Sequence, residues 1–147
     1  MSINTILYER QLEGYYCTLC YAYFDLKRRT LTMANSGLPY ALRSTADACL
    51  PIELPGLPLG TFTGVSYDQV VVELGAGDVF VFCTDGIYET FNAADEEFGS
   101  ERVAEIVQSR RREPAAAIVQ AIVDAVDGFR GDAPQADDVT IVVVKVG

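Results

Sequence analysis

With 147 residues, half of them hydrophobic, the chain can bury one domain-sized core but is too short for two ordinary domains. Lys plus Arg number 11 against 21 Asp plus Glu, a net charge of −10 that argues against binding nucleic-acid phosphates or anionic membranes; no apolar run approaches the roughly 20 residues of a membrane-spanning helix. The count of histidine is 0, which excludes histidine-based nucleophile pairs, histidine-ligated zinc or haem, and imidazole general bases, leaving carboxylates, metal-bound water, Lys, Tyr or Cys for any chemistry.

Ile3, Ile6, Leu7 and Tyr8 recur at helical spacing, predicting a short amphipathic helix over residues 2–13 that Gly14 ends. Residues 15–26 read as a long strand, and a turn with the basic tip Lys27-Arg28-Arg29 leads into a second strand over 30–35. Ser36-Gly37-Leu38-Pro39 is a turn, and residues 40–43 continue briefly as a strand. Residues 44–64 form a long structured loop around Gly56-Leu57-Pro58-Leu59-Gly60, whose leucines and Phe62 call for burial. Residues 67–74 and 79–83 read as a hairpin closed by Gly75-Ala76-Gly77-Asp78, its second arm apolar on both faces and so covered on both sides. Beyond Thr84-Asp85-Gly86 the pattern turns helical. Ser100 caps a segment with Val103, Ile106 and Val107 on one face, and Pro114 opens a longer helix striped by Ile118, Val119, Ile122, Val123 and Val126. The β-branched run 139–146 reads as a central strand. Antiparallel strands followed by two late helices make an α+β chain, not a doubly wound nucleotide fold.

The four cysteines, Cys17, Cys20, Cys49 and Cys83, do not suggest a disulfide framework. Cys17 and Cys20 have chelating spacing, but on a strand they face opposite ways, so all four are expected as buried reduced thiols. With a start that lacks a basic segment followed by an apolar one, a cytoplasmic protein is expected. The clusters Asp95-Glu96-Glu97 and Arg110-Arg111-Arg112 read as solvated surface, and the early tyrosines as part of a sheet face or core.

Two acidic positions stand out. Asp85 follows the carboxyl end of strand 79–83, and Asp137-Asp138 precede strand 139–146. If these strands are antiparallel neighbours, their acids share one edge of the sheet, where a hard divalent cation would relieve their repulsion and activate water. Composition alone favours the plainer reading, Asp85-Gly86 as a strand-ending turn and Asp137-Asp138 as a capped loop.

An ordered set of motifs spans nearly the whole chain. It comprises Leu31-Thr32-Met33-Ala34-Asn35-Ser36-Gly37-Leu38-Pro39, Gly56-Leu57-Pro58-Leu59-Gly60, Glu73-Leu74-Gly75-Ala76-Gly77-Asp78, Phe82-Cys83-Thr84-Asp85-Gly86-Ile87-Tyr88-Glu89, Phe98-Gly99 and Asp137-Asp138-Val139-Thr140. In this order they resemble the bacterial branch of the metal-dependent protein phosphatase (type 2C) family, which includes the sporulation stage II and stress sigma-factor regulator phosphatases. The resemblance implies an antiparallel β-sandwich flanked by α-helices, with Mg²⁺ or Mn²⁺ at one end. It also implies hydrolysis of phosphoserine or phosphothreonine by metal-bound water on a regulatory protein such as an anti-sigma-factor antagonist, and a sensor or regulatory domain upstream. It assigns Asp85 and Asp137 as metal ligands, with Gly86 and Asp138 beside them, and names no catalytic side chain beyond the metal-bound water.

Two departures accompany it. The family's first metal-binding element, an Asp-Gly turn between two early strands, has no counterpart, so the chain is expected to be the C-terminal portion of one phosphatase domain, residues 1–147, lacking the first strands and helix and inactive alone. Exposed sheet edges would then favour a homodimer. Many relatives carry His where this chain has Leu38. The alternatives are a phosphatase-like module that binds a partner without catalysis, and an unrelated α+β binding module.

Overall fold

The structure is a computed structural model in which residues 2–10 and 15–147 are described; the expected helix end at Gly14 lies outside them. Two compact units emerge, one from residues 1–38 and 53–74, the other from 39–52 and 75–147. The α+β reading with antiparallel sheets holds.

In the first unit, α1 (Ile3–Glu9) starts at Ser2, whose hydroxyl accepts the Thr5 amide at 3.2 Å. Strands β1 (Leu19–Asp25) and β2 (Thr30–Ser36) form the expected hairpin. The Asp25 carboxylate shapes its tip by accepting the amides of Lys27 at 3.0 Å and Arg28 at 2.9 Å. The first strand is shorter than predicted: Tyr15 and Tyr16 precede it and are exposed. A third strand, β5 (Gln69–Glu73), pairs with β2 to give the order β1-β2-β5. Alternation places Leu31 and Met33 in the core, while Leu19, Tyr21 and Tyr23 on β1 remain exposed.

The motifs around Asn35 have structural work in this unit. Its buried amide donates to the carbonyls of Leu38 at 2.8 Å and Leu54 at 3.0 Å and accepts the Leu38 amide at 3.2 Å. The turn is thus held through main chain at residue 38, whatever side chain stands there. Gly56 lies so close that an added Cβ would fall 1.9 Å from the Asn35 carbonyl oxygen, which accounts for glycine at that point of the loop. Asn4, unnoticed in the sequence, is buried and donates to the Phe62 carbonyl while accepting from the Gly60 amide and the Tyr67 hydroxyl. Of the loop's apolar residues, Leu54 and Leu59 are buried, but Leu50, Leu57 and Phe62 are exposed, contrary to expectation.

The second unit carries the sheet β4-β3-β6-β7, formed by β3 (Leu42–Ser44), β4 (Cys49–Pro51), β6 (Val79–Cys83) and β7 (Ile141–Lys145). Residues 67–83 are therefore not a hairpin: β5 belongs to the first sheet and β6 to this one, with the turn at 75–78 carrying the chain from one to the other. Alternating hydropathy cannot distinguish a hairpin from such a crossing. The short strand expected at 40–43 likewise starts this sheet rather than extending β2, and β4 lies inside the segment expected as loop.

Buried Asp78 anchors the turn. Its carboxylate accepts Nε of Arg43 at 3.0 Å, the Arg43 guanidinium at 2.6 Å and the Gly75 amide at 3.0 Å.

Three helices follow β6: α2 (Asp85–Tyr88), α3 (Gly99–Arg110) and α4 (Ala115–Arg130). Val103 and Val107 of α3, and Ile118, Ile122 and Val126 of α4, pack with Val79, Val81 and Ile87 in one core. Val119 and Val123 of the predicted stripe are half-buried. Ser100 sits in the first turn of α3 rather than ahead of it, where Phe98 stands. Arg111 is not simply solvated, since its guanidinium reaches the Gly77 carbonyl at 3.0 Å; Arg110 pairs with Glu113 at the surface.

β7 was expected to be central, yet among the described residues it lies at the edge of its sheet, with Val142 exposed. Its β-branched run suits a strand but says nothing about how many neighbours it has. No helix among the described residues is long and apolar enough to cross a membrane.

Candidate functional site

β6 and β7 are antiparallel neighbours, with Cys83 opposite Ile141. The segment leaving β6 and the segment entering β7 consequently meet at one end of the sheet. Thr84 joins them. Its amide donates to the Thr140 carbonyl at 3.1 Å, its hydroxyl donates to the Asp138 carbonyl at 3.2 Å, and the same hydroxyl accepts the Thr140 amide at 2.9 Å.

Asp85 opens α2 immediately after this clasp, and Gly86 abuts the opposing loop. A Cβ on Gly86 would stand 2.4 Å from the Asp138 carbonyl oxygen and 3.4 Å from that of Asp137. Only a residue without a side chain lets the two segments approach this closely. The Gly86 carbonyl in turn accepts the buried Thr90 hydroxyl at 2.7 Å, tying the start of α2 to its exit.

Each acid is oriented by an adjacent amide. Asp85 accepts the Gly86 amide at 3.1 Å through one carboxylate oxygen, and Asp137 accepts the Asp138 amide at 2.7 Å in the same way. The Gln135 side chain donates to the Asp137 carbonyl at 2.8 Å and braces the loop. Asp85, Asp137 and Asp138 are all exposed at this rim. The segments carrying the sequence-predicted residues Asp85-Gly86 and Asp137-Asp138 are thus brought together through their main chains. Thr84, Thr90 and Gln135 were missed: Thr84 was visible only as a neighbour in a motif, and nothing in the pattern marked the other two.

The donor set is all oxygen and anionic, which suits a hard cation that keeps several waters and takes one or two carboxylates. Among the described residues, however, no group of three or more His, Cys, Asp or Glu is arranged to hold a metal ion. The rim fits part of a cation site rather than a closed cage.

Behind the rim the environment is apolar. Burial pushes the Cys83 thiol up to about 11, and Cys49 likewise to about 11. Burial, and after it the Cys83 thiol beside it, raises the Tyr88 hydroxyl further. All four cysteines are free, but of the four expected to be buried only Cys83 is: Cys20 and Cys49 are half-buried and Cys17 is exposed.

The family model "Stage II sporulation protein E (SpoIIE)" matches residues 1–147. Stage II sporulation protein E from Priestia megaterium is 24% identical over 147 residues, covering 99% of this chain and 24% of that protein. The chain therefore spans about a quarter of that relative. Among solved structures, the PP2C phosphatase domain of SpoIIE from Bacillus subtilis, solved with a fragment of its regulatory domain, has a TM-score of 0.82 at 23% identity, over 97% of this chain and 42% of that one. A manganese-presoaked form of the SpoIIE phosphatase domain from Bacillus subtilis has a TM-score of 0.76 at 21% identity, over 98% of this chain and 63% of that one. These structures share the fold. Matched along its whole length, the chain belongs to the stage II sporulation protein E (SpoIIE) family.

Proposed function

We propose that residues 1–147 form the C-terminal portion of a Mg²⁺- or Mn²⁺-dependent serine/threonine protein phosphatase domain. In this reading Asp85 and Asp137 are metal ligands, Asp138 and Gly86 hold them in place, and further ligands come from outside this chain. The single observation that supports it is the close approach of Gly86 to the main chain of residues 137–138, which sets the two acid-bearing segments side by side. A bound divalent cation would supply an activated water and polarise the phosphoryl oxygens. The chain's own residues would orient that cation through carboxylates pinned by neighbouring amides. The substrate is a phosphoserine or phosphothreonine of a regulatory protein of the anti-sigma-factor antagonist type, in the cytoplasm, under control of an upstream sensor domain.

Manganese titration of the purified chain, read by electron paramagnetic resonance, tests the ligand assignment. A site with few charged ligands should bind with a Kd of about 10⁻⁴ to 10⁻³ M, and Asp85→Asn or Asp137→Asn should weaken it about tenfold. Equal binding by wild type and both variants would remove the assignment. Phosphate release from a phosphoserine peptide is expected from a longer polypeptide carrying the complete domain and not from this chain.

The absence of a three-ligand group among the described residues favours a second reading, a phosphatase-like module that binds a partner without hydrolysis. Failure of the complete domain to release phosphate, with binding retained, would select it. The exposed Leu19, Tyr21 and Tyr23 on edge strand β1 support pairing with a second copy, which light scattering at rising concentration would detect.

A further inference from the structure

We propose that a cleft beside α2 receives a lysine or arginine side chain that flanks the phosphorylated residue of the substrate; this rests on the phosphatase reading above. The cleft, about 560 Å³, lies wholly within the second unit, between the ends of β3 and β4 and the start of α3. Pro39, Tyr40 and Pro51 give it apolar walls, and Glu97 and Glu101 stand at its border. Such a site matches a side chain with a long apolar stem and a cationic head.

The charges at the border favour a cation. Among the described residues no ion pair reaches Glu97 or Glu101. Arg102 also lines the cleft, but its guanidinium is engaged: it donates to the carbonyls of Glu97 and Phe98 at 2.8 Å each and lies over the Phe129 ring at 4.8 Å. Arg102 and the start of α3, which contributes about half a positive charge, together fall just short of the two carboxylates.

Position links the cleft to the acidic rim. Tyr88 lines the cleft and Asp85 begins the same four-residue helix, so the backbones of these two residues lie about 4.5 Å apart along its axis. An extended peptide advances about 3.3–3.6 Å per residue, so a side chain two or three positions from the phosphorylated residue reaches the cleft.

The experiment uses the full chain with Mn²⁺ and synthetic peptides bearing phosphoserine, with Lys or Glu placed two and three positions away, and an unphosphorylated Lys peptide. Binding is followed by fluorescence anisotropy and by amide shifts of Tyr40 and residues 98–101. The Lys phosphopeptide should bind about tenfold tighter than the Glu phosphopeptide and shift those amides, with the preference shrinking as salt rises. The double variant Glu97→Gln/Glu101→Gln should lose the preference while its melting curve shows it folded. Equal binding of the Lys and Glu peptides, tighter binding of the Glu peptide, a preference retained in the double variant, or no shift at residues 98–101 overturns the proposal. A Lys preference that does not depend on the phosphate supports the cleft while removing the phosphatase reading. Phosphate dependence without a Lys preference does the reverse.

Discussion

Replacing Gly86 by alanine probes the closest approach at the rim. In a helix interior this exchange ordinarily stabilises by about 0.5–1 kcal/mol, because alanine loses less backbone entropy on folding. Here the new Cβ would meet the Asp138 carbonyl oxygen at 2.4 Å and its carbon at 3.1 Å. Carbon and oxygen tolerate about 3.3–3.6 Å, so the loop or helix must retreat by about 1 Å. Overpacking of that kind costs about 1–3 kcal/mol, and the Thr84 hydroxyl clasp, stretched by the same movement, adds about 0.5–1.5 kcal/mol. After subtracting the propensity gain, Gly86→Ala should destabilise by about 0.5–4 kcal/mol, lowering Tm by roughly 2–12 °C. Gly128 in α4 is the internal control: it is exposed, a Cβ there meets nothing within 4 Å, and Gly128→Ala should stabilise by about 0.5–1 kcal/mol. Urea denaturation of the two variants should give opposite signs. A Gly86→Ala protein as stable as Gly128→Ala would refute the close contact and the shared rim with it.

Truncating Ile118, fully buried in the second unit's core, to alanine should cost about 2–5 kcal/mol by urea denaturation. Asp78→Ala leaves Arg43 without its 2.6 Å partner, and because Arg43 keeps some solvent contact the loss should be about 2–3 kcal/mol, against near-neutral effects for Glu113→Ala at the surface. A thiol reagent at pH 8 should label exposed Cys17 first, half-buried Cys49 slowly and buried Cys83 only on unfolding, since burial holds the last two near 11. The same shifts set a pH trend. Between about pH 9 and 11 the unfolded thiols release protons that the folded ones retain, so stability should fall as pH rises through that window, and less steeply in Cys83→Ala.

Legibility followed physical range. Local signals were reliable where local forces decide: the Asp25 turn, the helix after Pro114 and the alternation on β2 could be read because turn chemistry and a 3.6-residue stripe act within one element. Pairing partners were harder. Residues 67–83 carry the pattern of a hairpin, and only the paired neighbours β2 and β3 reveal that its arms part into separate sheets. The rim was legible in its acids, because Asp85 and Asp137 flank strands that proved adjacent. Its scaffold was not, because the Thr84 hydroxyl and the Gln135 amide act on main-chain groups and leave no periodic mark. Single polar residues buried far from their sequence partners, such as Asn4 with Phe62 and Gly60, were likewise invisible.

The Thr84 clasp also bears on timing. It joins positions 56 residues apart, Thr84 and Thr140, and depends on β7 lying against β6. Contacts of such long range form late, after the loop between them has closed. During synthesis Asp85 would emerge well before its counterpart and remain solitary until the final strand docks. In amide-exchange experiments the amide of Thr140 should therefore report the birth of the rim, gaining protection together with β7 rather than with the helices that precede it.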